Sequence, residues 1–181
     1  MGIRNSIAAI GLVLGLAHGA FGQTRVAINL ITSNQVTINR PAAAIWPMIV
    51  DPSGWKQGLK LVHRSGPVGG QGEVLAAVNP GDTTTAFVVE NAHVVAPRQR
   101  TIKLVSPTGQ LIGFATWTLR ESNGKTVVAY DVVSETVVTA DQAKTMTPAA
   151  VLEQERQGAE VNGRRFQAEL ETLKRLVEGS R

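Results

Sequence analysis
Alternation of apolar and polar residues dominates the middle of this 181-residue chain. From about Leu61 to Thr136 the pattern repeats every two residues, the period of a half-buried strand. It predicts strands over 61–64, 73–78, 84–95, 98–105, 111–121 and 125–139. Turn residues separate them: Ser65-Gly66-Pro67 with Gly69-Gly70, Asn79-Pro80-Gly81-Asp82, Ala96-Pro97, Ser106-Pro107-Thr108-Gly109 and Ser122-Asn123-Gly124. Asn-Gly between two such runs is a strong hairpin signal. Strand following strand predicts an antiparallel meander rather than βαβ units.

The flanks read differently. Residues 23–30 form a leader of uncertain structure, and 34–39 alternates as one more strand. Pro41 has a pre-set φ and needs no amide donor, so it opens a short helix over 42–50. Ala44, Ile45, Met48 and Ile49 lie near one face of that helix, and Pro47 is expected to kink it or end it early. Asp51-Pro52-Ser53-Gly54 is a turn, with one further helical turn over 55–58. Near the C-terminus the period becomes helical. Thr147 caps and Pro148 starts a helix. Phe166, Leu170, Leu173 and Val177 then recur at three- or four-residue steps, as one apolar stripe. Glu169 and Lys174 are assigned to its polar side. Gly158 and Gly163 predict a bend or break, with strong helix from Asn162 and a stop at Gly179. Residues 142–150 read as a long loop before it.

The fold class that follows is α+β. A curved antiparallel sheet of about six or seven strands wraps on a long C-terminal helix, with one or two short helices after the first strand. A sheet curved around a helix leaves a wedge between them, and such wedges form pockets.

Composition narrows the function. Hydrophobic residues make up 43% and charged residues 18%, as expected of an ordinary globular domain. The net charge of +4 is spread along the chain. Arg98-Gln-Arg100 and Arg164-Arg165 are too short for a nucleic-acid surface and read as solvated faces. The chain has no cysteine, which excludes disulfides, thiol catalysis, Cys-type zinc sites and lipoprotein acylation. Its histidines show no metal-binding spacing, so neither a metal nor a cofactor is implied. Arg4, an uncharged apolar run over 7–16 and Ala20-Phe21-Gly22 resemble a cleavable signal peptide over 1–22, cut after Gly22. The apolar run is shorter than the roughly 20 residues of a spanning helix, so no stable membrane anchor remains after its removal. A periplasmic or secreted location is expected.

Strand alternation also sorts candidate side chains. Phe87, Val89, Asn91, His93 and Val95 share one face; Ala86, Val88, Glu90, Ala92 and Val94 share the other. Val128, Tyr130, Val132 and Ser134 share a face in the last strand, as Ala115, Trp117 and Leu119 do in the strand before it. The candidates for lining a cavity are Trp55, as a lid at its corner, with Asn91, His93, Trp117, Tyr130, Phe166 and Leu170. No catalytic set emerges. A His93 base paired with Glu90 is disfavoured, because the two point to opposite faces of a regular strand; Tyr130 is the alternative partner.

The order of four segments resembles the START-like superfamily, also known as SRPBCC or the polyketide cyclase/dehydrase and lipid-transport family. They are Ile38-Asn-Arg-Pro-Ala-Ala-Ala-Ile-Trp46, Asp51-Pro-Ser-Gly-Trp55, Val94-Val-Ala-Pro-Arg-Gln-Arg-Thr-Ile102, and Gly113-Phe-Ala-Thr-Trp-Thr-Leu119 with Gly124-Lys-Thr-Val127. The segment from Asn162 to Leu176 resembles the family's closing helix. The resemblance spans 34–178 as a single domain after the 23–33 leader, and departs at Pro47 and at 142–150. It implies a helix-grip fold around an apolar cavity, with no catalytic residues common to all members. The expected partner is a small hydrophobic ligand, lipid-like or polyketide-like, held by an exported binding protein. A cyclase/dehydratase-type enzyme is the alternative, and a protein-interaction module using the terminal helix a third reading.

Overall fold
The computed structural model describes residues 26–56, 60–79 and 84–179. The expected signal peptide over 1–22, the Pro80-Gly81-Asp82 part of one corner and the end of the turn expected over 55–58 lie outside the described residues. The described residues form seven strands: β1 Ala27–Ile38, β2 Lys60–Ser65, β3 Val74–Val78, β4 Thr85–Val95, β5 Gln99–Val105, β6 Leu111–Ser122 and β7 Lys125–Val137. They make one sheet in the order β1-β7-β6-β5-β4-β3-β2, every neighbour antiparallel. Helix α1 (Ala42–Val50) and a 3₁₀ turn (Pro52–Gly54) carry the chain from one sheet edge to the other. Helices α2 (Ala140–Thr145) and α3 (Pro148–Gly179) follow β7. This is the α+β helix-grip arrangement expected from the pattern of the chain.

The strand boundaries follow the alternation closely. Asn123, with φ 52°, and Gly124, with φ 72°, form the hairpin between β6 and β7. Two consecutive positive φ angles are what a tight type I′ turn requires. Glycine is also required at Gly113, where a Cβ would sit 2.2 Å from the carbonyl oxygen of Val133. β1 starts at Ala27, well before residue 34, because its first half pairs with the far end of β7, Ala27 opposite Val137.

Three expectations about helices need correction. Helix α1 runs through Pro47 to Val50. Pro47 and Ala43 are both exposed, so the carbonyl that loses its amide partner lies on the solvent side of the helix. The buried face is Ala42, Ile45 and Ile49; Ala44 is exposed. Residues 142–150 are not one loop. Thr139 and Gln142 form a capping box that starts α2, with side chain and backbone satisfied reciprocally. Helix α3 is unbroken over 32 residues, about 48 Å. Gly158 and Gly163 lie within a ladder of i,i+3 and i,i+4 ion pairs running Glu153–Arg156–Glu160–Arg164. Each surface pair adds only a few tenths of a kcal/mol, and the packing of the apolar stripe does the rest.

That stripe closes the core. Leu170, Leu173 and Val177 are buried against Val36, Ile38, Ile45, Ile49 and Val128. Burial of each such side chain is worth about 1.5–3 kcal/mol. α3 also covers the free edge of β1. Gln167 Nε2 donates to the carbonyl of Gln35, Lys174 Nζ to that of Thr37, and Glu155 accepts from the amide of Asn29. An edge that would otherwise offer unpaired backbone groups to another chain is thereby occupied.

Since α3 passes straight through its two glycines, neither is needed for a bend. A Cβ at Gly163 meets nothing within 4 Å, and one at Gly158 only Leu30 at 4.0 Å. Gly158→Ala and Gly163→Ala are each expected to stabilise the protein by about 0.5–1 kcal/mol, read as a rise in the urea midpoint at unchanged slope.

Candidate functional site
Between α3 and the concave face of the sheet lies a cavity of about 240 Å³. Its floor is built by alternation: Phe87 and Val89 from β4, Ile102 and Leu104 from β5, Ala115 and Trp117 from β6, Tyr130 and Val132 from β7. Phe166 of α3, Leu30 of β1 and Pro52 of the 3₁₀ turn complete the apolar wall. Ile112 joins it because the β5–β6 register slips at Leu104/Val105. Four charged side chains also line the cavity: Lys56, Arg100, Arg165 and Glu169.

Lys56 follows the 3₁₀ turn. Asp51 caps that turn by accepting from the Ser53 amide, and the Lys56 amide donates to the Pro52 carbonyl. Trp55 is locked beside it, its Nε1 donating to the Met48 carbonyl at 2.7 Å. The Lys56 ammonium therefore enters the cavity from a fixed point. It donates to Tyr130 Oη at 2.8 Å and lies 3.4 Å from Glu169 Oε2. Four aromatic rings surround it, with centroids at 4.3 Å for Tyr130, 5.4 Å for Trp117, 5.5 Å for Phe166 and 5.7 Å for Trp55. The rings pack on one another, Trp117 stacked on Tyr130 at 4.6 Å and Phe166 edge-on to Tyr130 at 5.2 Å. Such a cage favours a cation through the negative faces of its rings. Glu169, 6% exposed, also accepts from Arg165 Nε at 3.2 Å.

A second polar system enters from the opposite side. Arg100 is 1% exposed. Its Nη1 donates to the carbonyls of Ile49 and Val50, the last residues of α1, and its Nε donates to Asn91 Oδ1 at 2.9 Å. Asn91 Nδ2 in turn donates to Glu73 Oε2 and to the Gly70 carbonyl. Glu73 also accepts from the Gly69 amide and contacts His63 Nδ1 at 3.1 Å. Burial pushes the Arg100 guanidinium down to about 10, with Glu73 and then Asp51 opposing that shift. It stays a cation at neutral pH. Two donors in the cavity wall have no hydrogen-bond partner among the described residues, Arg100 Nη2 and Trp117 Nε1.

The residues singled out from sequence are distributed as follows. Trp117, Tyr130 and Phe166 line the cavity together. Leu170 is fully buried in the adjoining core, and Asn91 is fully buried as the link between Arg100 and Glu73. Trp55 is buried and borders a smaller pocket with Arg165, Ala168 and Thr172, so Lys56 and Pro52 occupy the place expected of a lid. His93 is exposed and outside the cavity. The reason is a β-bulge: Asn91 pairs with Ile102 but His93 pairs with Thr101, so Ala92 is an extra residue and the faces exchange beyond it.

Three further side chains line the cavity without a clear mark in the sequence pattern. Arg100 was assigned to a solvated face, yet it alternates with Ile102 and Leu104, which marks the inner face of β5. Glu169 was assigned to the polar side of α3, yet it lies three residues after Phe166 and four before Leu173, on the border of the stripe. Lys56 had no pattern around it to reveal it.

Comparison with known proteins accords with this geometry. Residues 30–178 match the family described as polyketide cyclase / dehydrase and lipid transport, and the chain belongs to that family. No curated protein sequence matches it. Among solved structures it is similar to a truncated norcoclaurine synthase from Thalictrum flavum, with TM-score 0.55 and 14% identity, over 86% of this chain and 97% of that one. It is also similar to the Zhui aromatase/cyclase from a Streptomyces species, with TM-score 0.56 and 16% identity, over 83% and 94%. A Staphylococcus aureus protein of unknown function gives TM-score 0.61 at 8% identity, over 88% and 98%. At these identities the likeness is one of fold.

The chain from Glu73 to Arg100 predicts a graded response. Glu73→Ala leaves Asn91 and the Arg100 charge short of their counterpart and is expected to cost about 3–5 kcal/mol, as when a buried charge loses its partner. Glu73→Gln keeps an acceptor for Asn91 and should cost clearly less. Urea unfolding of both variants checks the order.

Proposed function
We propose that this chain is an exported binding protein that holds a small, mostly apolar molecule in the cavity beneath α3. The observation that carries the reading is the wall itself: aliphatic and aromatic side chains from β4 to β7 and from α3 surround about 240 Å³, with polar groups at a few defined points. Ligand pockets typically have that make-up, and this volume lies just under their usual range of about 300–1,000 Å³. The guest is therefore small. The family includes lipid transport in its description, which supports a carrying role. Export rests on the signal-like pattern of Arg4, the apolar run and Ala20-Phe21-Gly22.

A second reading, a cyclase/dehydratase-type enzyme, is favoured by one specific group of side chains. Glu169 provides a carboxylate able to take a proton from an acidic C–H. Lys56 and Tyr130 provide donors for the oxygen of the enolate that would form. His93 has no part in this version, being outside the cavity. Two of the similar structures are named as a synthase and an aromatase/cyclase, and those activities belong to those proteins.

Native mass spectrometry with organic extraction tests the binding reading. Protein purified without added ligand should carry, or take up on exposure, one equivalent of an apolar molecule. Ala115→Phe, which fills the cavity floor, should reduce uptake at least tenfold while the fold is retained by circular dichroism. A recovered guest identical to the molecule supplied supports carriage, and a chemically altered one supports the enzyme. Absence of any guest in both proteins removes both readings. For export, the protein produced with its own N-terminus should appear in the periplasmic or culture fraction with Gln23 as its first residue. Full-length protein confined to the cytoplasm would overturn that part.

A further inference from the structure
Two residues of the cavity wall each carry a buried donor with no hydrogen-bond partner among the described residues. Arg100 and Trp117 are direct cross-strand partners on β5 and β6, each 1% exposed. The guanidinium carbon lies 5.8 Å from the Trp117 ring. Arg100 Nε and Nη1 are turned to Asn91 and to the end of α1, which leaves Nη2 as the nitrogen with no partner. Trp117 Nε1 is likewise without one. A buried donor left unpaired is destabilising, and a charged one more so. Two of them on cross-strand partners in a cavity wall call for an acceptor that the described residues do not supply.

The charge of the wall points to the nature of that acceptor. Lys56, Arg100 and Arg165 border the cavity, against Glu169 as the anionic side chain. Glu169 is engaged by Lys56 and Arg165. Arg100 has no carboxylate in direct hydrogen bond; Glu73 reaches it through Asn91. The lining cations thus outnumber the lining anion, and at Arg100 the balancing carboxylates, Glu73 and Asp51, stand outside the lining.

We propose that the cavity selects small hydrophobic carboxylates. The carboxylate accepts from Arg100 Nη2 and Trp117 Nε1, and the apolar body lies along Val89, Ile102 and Val132 toward Phe166. A cavity of about 240 Å³ suits a bicyclic aromatic acid or a short branched one, and is too small for a long acyl chain. This inference rests on the ligand-binding reading above and names the chemical class of its ligand.

Two probes of one shape test it. Isothermal titration calorimetry of the wild-type protein with 2-naphthoate and with 2-naphthamide, its neutral isostere, should show the carboxylate binding at least tenfold more tightly, since hydrogen bonds to charged groups are the stronger kind. Trp117→Phe keeps a ring and removes one donor; it should weaken 2-naphthoate about fivefold and narrow the preference for it. Arg100→Lys should abolish the preference, with circular dichroism as a check because Arg100 also holds α1. If Arg100→Lys does not fold, Trp117→Phe alone decides the assignment. Equal affinity of the wild type for the two probes overturns the carboxylate proposal and leaves the ligand-binding reading standing. So does a full carboxylate preference retained in a folded Trp117→Phe or Arg100→Lys protein, which would place the anion elsewhere. Failure of both probes to bind, together with no guest in native mass spectrometry, removes both.

Discussion
A single buried guanidinium ties the end of α1 to the sheet. The carbonyls of Ile49 and Val50 end α1 with no helical partner of their own, and Arg100 reaches across from β5 to satisfy them. The negative end of the helix dipole and the arginine charge favour each other at that contact. Burial works in the opposite direction and depresses the arginine's affinity for its proton. Asn91, Glu73 and the tight loop through Gly69 and Gly70 offset that cost with a continuous set of hydrogen bonds. The segment directly after α1 inherits its position from this contact. The 3₁₀ turn, Trp55 and finally Lys56 are placed relative to the sheet through the end of that helix.

The same economy governs α3. Over its last turns Leu170, Leu173 and Val177 are buried in one core with residues of β1 and α1. One turn earlier Phe166 meets Tyr130 edge-on, and the helix stands away from the sheet. The tight part provides stability and the raised part provides volume. Glu155 clips the front half of the helix to β1 at Asn29, and Gln167 and Lys174 clip its back half at Gln35 and Thr37.

Much of this fold is legible in the sequence. Strand alternation, the Asn123-Gly124 hairpin and the Phe166 to Val177 stripe are local signals, and local signals survive folding. Trp117, Tyr130 and Phe166 were found because alternation and helical spacing determine which side chains share a face. The failures have a common cause. Arg100 was judged by its polarity and not by its place in the β5 alternation, and Glu169 by its charge and not by its angle on the helix. A polar residue on an inner face looks like an error until its partners arrive from elsewhere in the chain. Glu73 is 27 residues from Arg100 and Ile49 is 51. Lys56 depends on a turn whose orientation is set by that distant contact. The continuity of α3 through two glycines was hidden for a related reason, since intrinsic preference is a weak guide once packing and side-chain pairs act together.

Ala92 has the widest implication for its size. It occupies no pocket and binds nothing, yet it decides that Asn91 faces inward while His93 faces solvent. Were Ala92 paired as in a regular strand, β4 would keep its phase and present the His93 imidazole to the interior two positions beyond the asparagine. The chemistry available inside this fold is thus governed by strand pairing as well as by side-chain identity. Straightening or shifting the bulge would exchange the faces of the residues beyond it, and so bring a titratable group inside with every side chain in the strand unchanged.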